Sequence, residues 1–365
     1  MYDYLIVGAG LFGSVFAHEA TRRGKSCLVA EKRGHTGGNA YTKEQDGIIV
    51  HEYGAHIFHT ASRRVWDYVN SLVPFDKYTH RIKADYMGKR YSLPFNMNTF
   101  RELWGVSMPE EARKIIASQS CEDGESLEKH AISIVGRDVY EYLIKGYTEK
   151  QWGRSPSELP AGIIKRIPLR FTFDDRYFSD EFEGIPQGGY TRLIEKLLEG
   201  CDVRLDTDYL KNREALSRLA EKTVYTGALD EYFCSEYGAL SWRSLRFEKE
   251  EMPIDDFQGA AVINYTDAET PFTRIIEHKH FMPRDPGSAK TIITREYPAP
   301  YTAGAEKFYP IADKKSAALA EKYAEKAKLE KNVIFGGRLG TFSYLDMDKV
   351  VLAALSAAEA EFGRE

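Results

Sequence analysis

Tyr4-Leu5-Ile6-Val7-Gly8-Ala9-Gly10-Leu11-Phe12-Gly13, residues 4–13, is the stretch on which the fold turns. Its first four residues predict a short buried strand, and G-x-G-x-x-G follows at once. Residues 11–23 predict a helix stopped by Gly24, and Cys27-Leu28-Val29-Ala30 a second strand. Strand, glycine turn, helix and strand make a βαβ unit, and hence a parallel sheet. Each glycine then has a task. Gly8 makes the tight turn, Gly10 lets a pyrophosphate approach the backbone, and Gly13 lets helix and strand pack closely. The helix N-terminus faces the phosphates. Glu31 ends the second strand 18 residues after Gly13, where a carboxylate accepts from ribose hydroxyls, with Lys32 beside it as a further contact.

The residues beyond Glu31 choose the cofactor. His35-Thr36-Gly37-Gly38-Asn39-Ala40 brings a second glycine pair to the pyrophosphate, with Gly38 and Asn39 as candidate contacts. This resembles the FAD-binding form of the fold, as in the amine oxidase group, more than a nicotinamide dehydrogenase. Near the other end, Val333-Ile334-Phe335 reads as a strand running into Gly336-Gly337-Arg338, a third contact through Gly337 and Arg338.

Between these ends the pattern changes twice. Residues 95–164 are helical: Ser107-Met108-Pro109-Glu110 looks like a helix start, and Tyr140, Leu143, Ile144, Tyr147 and Gln151 recur on one helical face. From Phe171, and again over 241–309, β patterns dominate, and three closely spaced strands around Ile263, Ile275 and Ile292 favour an antiparallel sheet. Residues 191–225 and 333–362 look like returns to the first unit, the last as a helix over 347–362. The expectation is an α/β protein in three parts. A discontinuous Rossmann-like FAD-binding domain takes residues 1–74, 184–238 and 318–365. A helical insertion takes 95–164, and an antiparallel β-sheet domain takes 75–94, 165–183 and 239–317.

Composition narrows the function. The 365 residues are 43% hydrophobic and 29% charged, which suits a globular chain and not a disordered one. A net charge of −5 argues against a nucleic-acid binder. The four cysteines form no C-x-x-C pair, so zinc and dithiol motifs lack support and a reducing compartment fits. The N-terminus does not read as a signal peptide and no apolar run approaches the ~18 residues of a membrane span. A cytoplasmic protein away from the membrane is expected. His51, His278 and His280 show no accepted zinc spacing, so no metal is expected.

Seven further segments resemble one family in order. They are Tyr53-Gly54-Ala55-His56-Ile57-Phe58-His59-Thr60; Gly146-Tyr147-Thr148-Glu149-Lys150-Gln151-Trp152-Gly153; Ile164-Lys165-Arg166-Ile167-Pro168; Asn264 through Arg274 to His278; Tyr309-Pro310; Gly336-Gly337-Arg338-Leu339; and Tyr344-Leu345-Asp346-Met347. Over nearly its whole length the chain resembles the bacterial UDP-galactopyranose mutases. It departs at Ala55 and Ala228, where proline is expected in many relatives.

The resemblance implies a homodimer, in a bacterial cell-surface polysaccharide pathway, that interconverts UDP-galactopyranose and UDP-galactofuranose. The reaction has no net redox change, yet N5 of reduced FAD is the nucleophile at the anomeric carbon. It implies that Arg166 and Arg274 hold the diphosphate as guanidinium forks. Tyr177, with Phe178 beside it, Tyr309 and Tyr344 would line the phosphate site. Tyr147 would stack on uracil and Trp152 sit near it, with Thr148 and Asn264 as polar contacts. His56 and His59 would lie against flavin and sugar. Asp346, with Met347, would hold the flavin or sugar hydroxyls, or else Asp346 caps the last helix. Three rival readings stay open. One is a mutase for UDP-N-acetylgalactosamine or a deoxysugar nucleotide. The others are an amine-oxidase-like flavin oxidoreductase and a nucleotide-binding module without catalysis.

Overall fold

The computed structural model describes residues 1–164, 168–282, 287–311 and 313–363. A five-stranded sheet is ordered Asp202–Arg204, Cys27–Ala30, Tyr2–Val7, Ala220–Tyr225 and Val333–Phe335. Every pairing in it is parallel. Its central strands are apolar without alternation because both faces are covered. Leu5, Ile6, Leu28, Val29 and Val224 are fully buried. On one face the helices Leu11–Arg22 and Met347–Phe362 pack together, with Tyr4, Phe16 and Phe362 meeting at ring distances of 5.5 to 5.7 Å. Tyr225, Tyr232, Phe233 and Tyr323 cover the other face. The sheet draws its strands from the beginning, middle and end of the chain. Their C-terminal ends run into Gly8, Glu31, Thr226 and Gly336, which is where such sheets bind ligands.

A seven-stranded sheet is ordered Tyr309–Pro310, Trp242–Met252, Thr291–Pro300, Arg274–Glu277, Val262–Tyr265, Ile82–Tyr86 and Lys89–Leu93. The expectation of an antiparallel sheet needs one correction. Val262–Tyr265 runs parallel to Ile82–Tyr86; all other neighbours are antiparallel. The register sets Asn264 opposite Arg274 and Arg274 opposite Glu296. Directly opposed residues share a face, so these three side chains stand in one row.

Two more expectations change. Residues 171–181, read as β, hold no strand; they form an irregular stretch of bends that contains Asp174, Asp175 and Asp180. Phe182–Pro186 and Phe75–Lys77 do not join the large sheet but form a sheet of three with Phe58–Thr60, in which Phe182–Pro186 is the central strand. In the helical region, the face predicted through Tyr140 and Tyr147 is interrupted. Tyr140–Lys145 is a π-helix, with the α-helix Gly146–Trp152 following it. The wider turn takes Tyr147 off the buried row of Tyr140, Leu143 and Ile144. Gly146 makes the next step possible: a Cβ there would stand 2.5 Å from the Thr266 carbonyl oxygen. Among the described residues no helix is long and apolar enough to cross a membrane.

Burial also sets an acid limit. His80 and His278 are 3% and 0% exposed, and burial pushes each from the usual imidazole range down to about 3. The unfolded chain therefore binds more protons below about pH 6.5. Stability is complete above that value and is lost as pH falls toward 3, each histidine contributing about 1.4 kcal/mol per pH unit. A denaturant midpoint that drops steadily from pH 6.5 to 4.5 is expected. His278→Gln should flatten that slope, and an unchanged slope would take His278 out of the account.

Candidate active site

The glycine turn is built as its sequence suggests. Gly8 has a φ of +99°, and a Cβ there would stand 2.2 Å from Thr226 Oγ1. Gly13 packs so closely that its Cβ would lie 2.2 Å from the Gly8 carbonyl oxygen. The second glycine pair abuts the first turn: a Cβ on Gly38 would come within 3.0 Å of Gly10 Cα. The Gly37 amide donates to the Ala9 carbonyl at 2.8 Å. Two stretches of bare backbone thus face one opening. Glu31, 4% exposed, accepts from the Ala9 and Arg33 amides at 2.8 and 2.9 Å.

One cavity joins these parts. It is lined by every residue expected at the cofactor except Gly13 and Asp346. Gly13 sits behind it, in the helix packing just described. Asp346 is exposed at the start of the Met347–Phe362 helix, and its side chain makes no capping hydrogen bond. Its neighbours Leu345 and Met347 face the cavity instead. Sequence reasoning passed over Arg33. It lines the cavity, is held by Asn39 at 2.9 Å and Glu306 at 2.6 Å, and keeps a buried Nη1 without a hydrogen-bond partner among the described residues. The one available signal was its place two residues after Glu31.

These features fit a dinucleotide. The glycine cradle leaves room that side chains would fill, a carboxylate sits at the ribose position, and a buried guanidinium nitrogen awaits an acceptor. Glu31→Ala should cut cofactor occupancy sharply. It also strands two backbone amides, a cost of about 1–3 kcal/mol each where the site stays buried. Flavin absorbance per mole of purified protein would show it, and full occupancy would remove Glu31 from the site.

At the inner end stands His56, whose Nδ1 bonds the Gly54 carbonyl at 2.8 Å. Burial first, then Arg338 and Arg274, holds it down at about 4, so it is neutral near pH 7. Its amide donates to His51 Nδ1, and the His51 amide donates to His278 Nδ1, both at 3.2 Å. His278 Nε2 then donates to Thr294 Oγ1 at 2.8 Å. His51 and His278 are thus neutral supports of the His56 loop. His280 lies with Asp256 and Glu277, at 3.2 and 3.5 Å.

Past His56 lies a cluster of arginine and tyrosine. Arg274 donates from Nη2 to Tyr147 Oη, and its Nε lies 3.2 Å from Glu296 Oε1. Glu296 is 1% exposed. Burial raises its carboxyl above the usual range, and Arg274 opposes that rise. For Arg274, burial works against the charge, but Glu296 and the tyrosines at 147, 309 and 177 overcome it and hold the guanidinium firmly protonated. Tyr309 and Tyr344 stack at 5.6 Å, with the Arg338 guanidinium 5.0 Å from the Tyr344 ring. Asn264, in the same row as Arg274, has a buried Oδ1 without a partner among the described residues.

The helix carrying Tyr147, Thr148 and Trp152 is pinned from two sides. Lys150 Nζ donates to the carbonyls of Tyr265, Thr270 and Phe272 at 2.8 to 3.2 Å. Burial lowers that ammonium to about 8. Arg243, a residue the sequence reading missed, donates to the carbonyls of Gln151 and Lys150 at the helix end. Thr148 is buried and Trp152 half-buried. Tyr177 and Phe178 meet edge to face at 5.1 Å, with His59 stacked on Phe178 at 3.6 Å. Arg166 lies outside the described residues.

The chain is similar to known proteins. A family model described as UDP-galactopyranose mutase matches residues 142–344. The chain is 40% identical to a Klebsiella pneumoniae protein named "Probable UDP-galactopyranose mutase", covering 98% of this chain and 94% of that one. The chain belongs to the UDP-galactopyranose mutase family. A model of the NAD(P)-binding Rossmann-like domain matches residues 6–72. An Escherichia coli dTDP-fucopyranose mutase is 38% identical over 98% of each chain. The fold matches a crystal structure of reduced UDP-galactopyranose mutase with a TM-score of 0.79 and 14% identity, covering 100% and 96% of the two chains. The chain is thus a sugar-nucleotide mutase, an isomerase that contracts a sugar ring. Its family and its Rossmann-like domain together imply a flavin.

Proposed function

We propose that the chain interconverts UDP-galactopyranose and UDP-galactofuranose with FAD in its reduced form. The observation that carries this reading is Arg274, a protonated, largely buried guanidinium held by Glu296 next to Tyr147 and near Tyr309, and close enough to His56, which lines the dinucleotide cavity, to help keep that imidazole neutral. An oxidoreductase acting on an amine has no need of a fixed cation there. A departing diphosphate does.

When bound, reduced FAD supplies at N5 the nucleophile for the anomeric carbon. The chain supplies the rest. Gly10 and Gly38 bring bare amides to the pyrophosphate at the turn that Gly8 makes, and Glu31 takes the ribose. Arg274, with Arg166 as its expected partner, balances charge on the leaving diphosphate. Tyr309 and Tyr344 donate to phosphate oxygens, and burial keeps the Tyr309 phenol protonated by raising it. Tyr147 offers its ring face to the base, and Asn264 Oδ1 accepts from the substrate. The same reading makes the enzyme a cytoplasmic homodimer, which sedimentation of the holoenzyme would test.

A second reading comes from the Escherichia coli relative: dTDP-fucose as substrate. It differs in the base methyl, the absent ribose 2′-hydroxyl and the absent sugar 6-hydroxyl. Both pairs should be assayed anaerobically with reduced enzyme. A kcat/KM at least tenfold higher for UDP-galactofuranose supports the first reading, and the reverse preference transfers the assignment to the deoxysugar.

A further inference from the structure

The two histidines of the His56–Thr60 segment are held in opposite ways. His56 leans on a backbone carbonyl. His59 Nδ1 lies 2.5 Å from Asp180 Oδ2, a residue 121 positions away in the chain. An ionised carboxylate can only accept, so Nδ1 carries a hydrogen and Nε2 is the position at which the ring can give or take a proton. Phe178 covers a face of the ring at 3.6 Å, with the planes 13° apart. The ring can therefore neither flip nor tilt freely. Nε2 makes no hydrogen bond among the described residues, and the side chain keeps 16% of its surface open. This is a built arrangement: strand Phe58–Thr60 supplies the histidine, and the irregular stretch before Phe182 supplies both stack and carboxylate.

The pair is linked by packing to the arginine and tyrosine cluster. Phe178 touches Tyr177, and His80, stacked 5.9 Å from Phe178, feels the charges of both Arg274 and His59. Of the other titratable side chains beside the pair, Glu183 accepts from the His80 amide through Oε1 at 2.6 Å.

Ring exchange imposes a proton balance. In the pyranose form O5 is the ring oxygen and O4 carries hydrogen; in the furanose form the roles are reversed. As the bond from the anomeric carbon to O5 breaks, O5 must gain a proton. As the bond from O4 to that carbon forms, O4 must lose one. No electrons are gained or lost by the sugar, and one proton moves between two of its oxygens. We propose that His59 carries this proton at Nε2, giving one to O5 as the pyranose ring opens and recovering one from O4 as the furanose ring closes, and that Asp180 is the positioning residue that sets the imidazole to do so. The proposal rests on the sugar-nucleotide reading above. A carboxylate behind an imidazole is a common way to hold the ring for proton transfer at its opposite nitrogen.

Two readouts separate this role from substrate placement. Breaking the bond between sugar and diphosphate requires no transfer between O4 and O5, and ring exchange does. Positional isotope exchange follows the first step: 18O placed between C1 and phosphorus scrambles into the β-phosphate when that bond breaks and re-forms. Chromatographic separation of the two ring forms follows the second. The holoenzyme, its Asp180→Ala and Asp180→Glu variants and His59→Gln are compared with UDP-galactopyranose and dTDP-fucopyranose. Flavin content is checked first, as a report on folding. Expected are a roughly hundredfold loss of ring exchange in Asp180→Ala and His59→Gln, isotope scrambling within about threefold of the parent, and partial recovery in Asp180→Glu. Unchanged ring exchange, or equal loss of scrambling and exchange, overturns the proposal. A parent enzyme that neither scrambles nor converts either sugar nucleotide overturns the sugar-nucleotide reading instead.

Discussion

Arg274→Ala should lower kcat/KM by about 10³-fold while the enzyme keeps its flavin, the scale seen when a preorganised charge partner is removed from a reaction site. The side chain reaches from the Arg274–Glu277 strand into the tyrosine cluster, and its guanidinium is desolvated. Charge developing on a departing diphosphate would meet it without reorganisation. The same change has a second effect. Glu296 opposes Arg274 in the sheet, is 1% exposed, and would be left buried without its cation. Breaking a buried pair in this way costs about 3–5 kcal/mol, so Arg274→Ala should also unfold earlier in denaturant. Adding Glu296→Gln should restore most of the stability and none of the activity. Activity restored along with stability would show that Arg274 acts on the fold alone. Kinetics on UDP-galactofuranose together with urea midpoints would tell the two apart.

The second large effect is expected from Gly8→Ala. Two independent faults meet at that position. A φ of +99° is a region that side chains rarely adopt, costing about 1–3 kcal/mol. The added methyl would stand 2.2 Å from Thr226 Oγ1, whose hydroxyl is fixed by a 2.7 Å bond to the Val7 carbonyl. The Val7 strand end and the turn after Tyr225 must then part, and the pyrophosphate cradle opens with them. Purified Gly8→Ala protein should carry less than about a tenth of the parent's flavin and show a lower melting temperature. Gly24→Ala is the control, since its φ is also positive but no atom lies within 4 Å of the added carbon. It should lose some stability and no cofactor. Equal flavin in both variants would deny the Gly8 turn its role.

What could be read from residues was local. The glycine turn, the Glu31 position and the Met347–Phe362 helix are set by neighbours a few residues away, so their chemistry stands in the linear order. The parallel junction between Val262–Tyr265 and Ile82–Tyr86 was hidden because strand patterns carry no direction and the partners are far apart in the chain. The π-helix at Tyr140–Lys145 was hidden for another reason. Its apolar spacing satisfies a helix of ordinary period until Gly146 must lie against the Thr266 carbonyl. At the site, Arg274, Tyr147 and Tyr309 came from ordered motifs. Glu296, Arg243 and Asp180 did not, because their importance lies in one partner each, reached through register or packing. Asp346 differs from its neighbours: it stands at the N-cap position of the last helix, while Leu345 and Met347 line the cavity.

The most direct test of the whole account is a turnover count under argon. Enzyme with oxidised flavin and enzyme reduced by dithionite are each given UDP-galactofuranose, and the flavin spectrum is followed while the sugar nucleotides are separated. The account predicts many turnovers to UDP-galactopyranose per flavin from the reduced enzyme alone, with the spectrum still that of reduced flavin at the end. Conversion by the oxidised enzyme, or flavin reduction in step with loss of the sugar nucleotide, would contradict it.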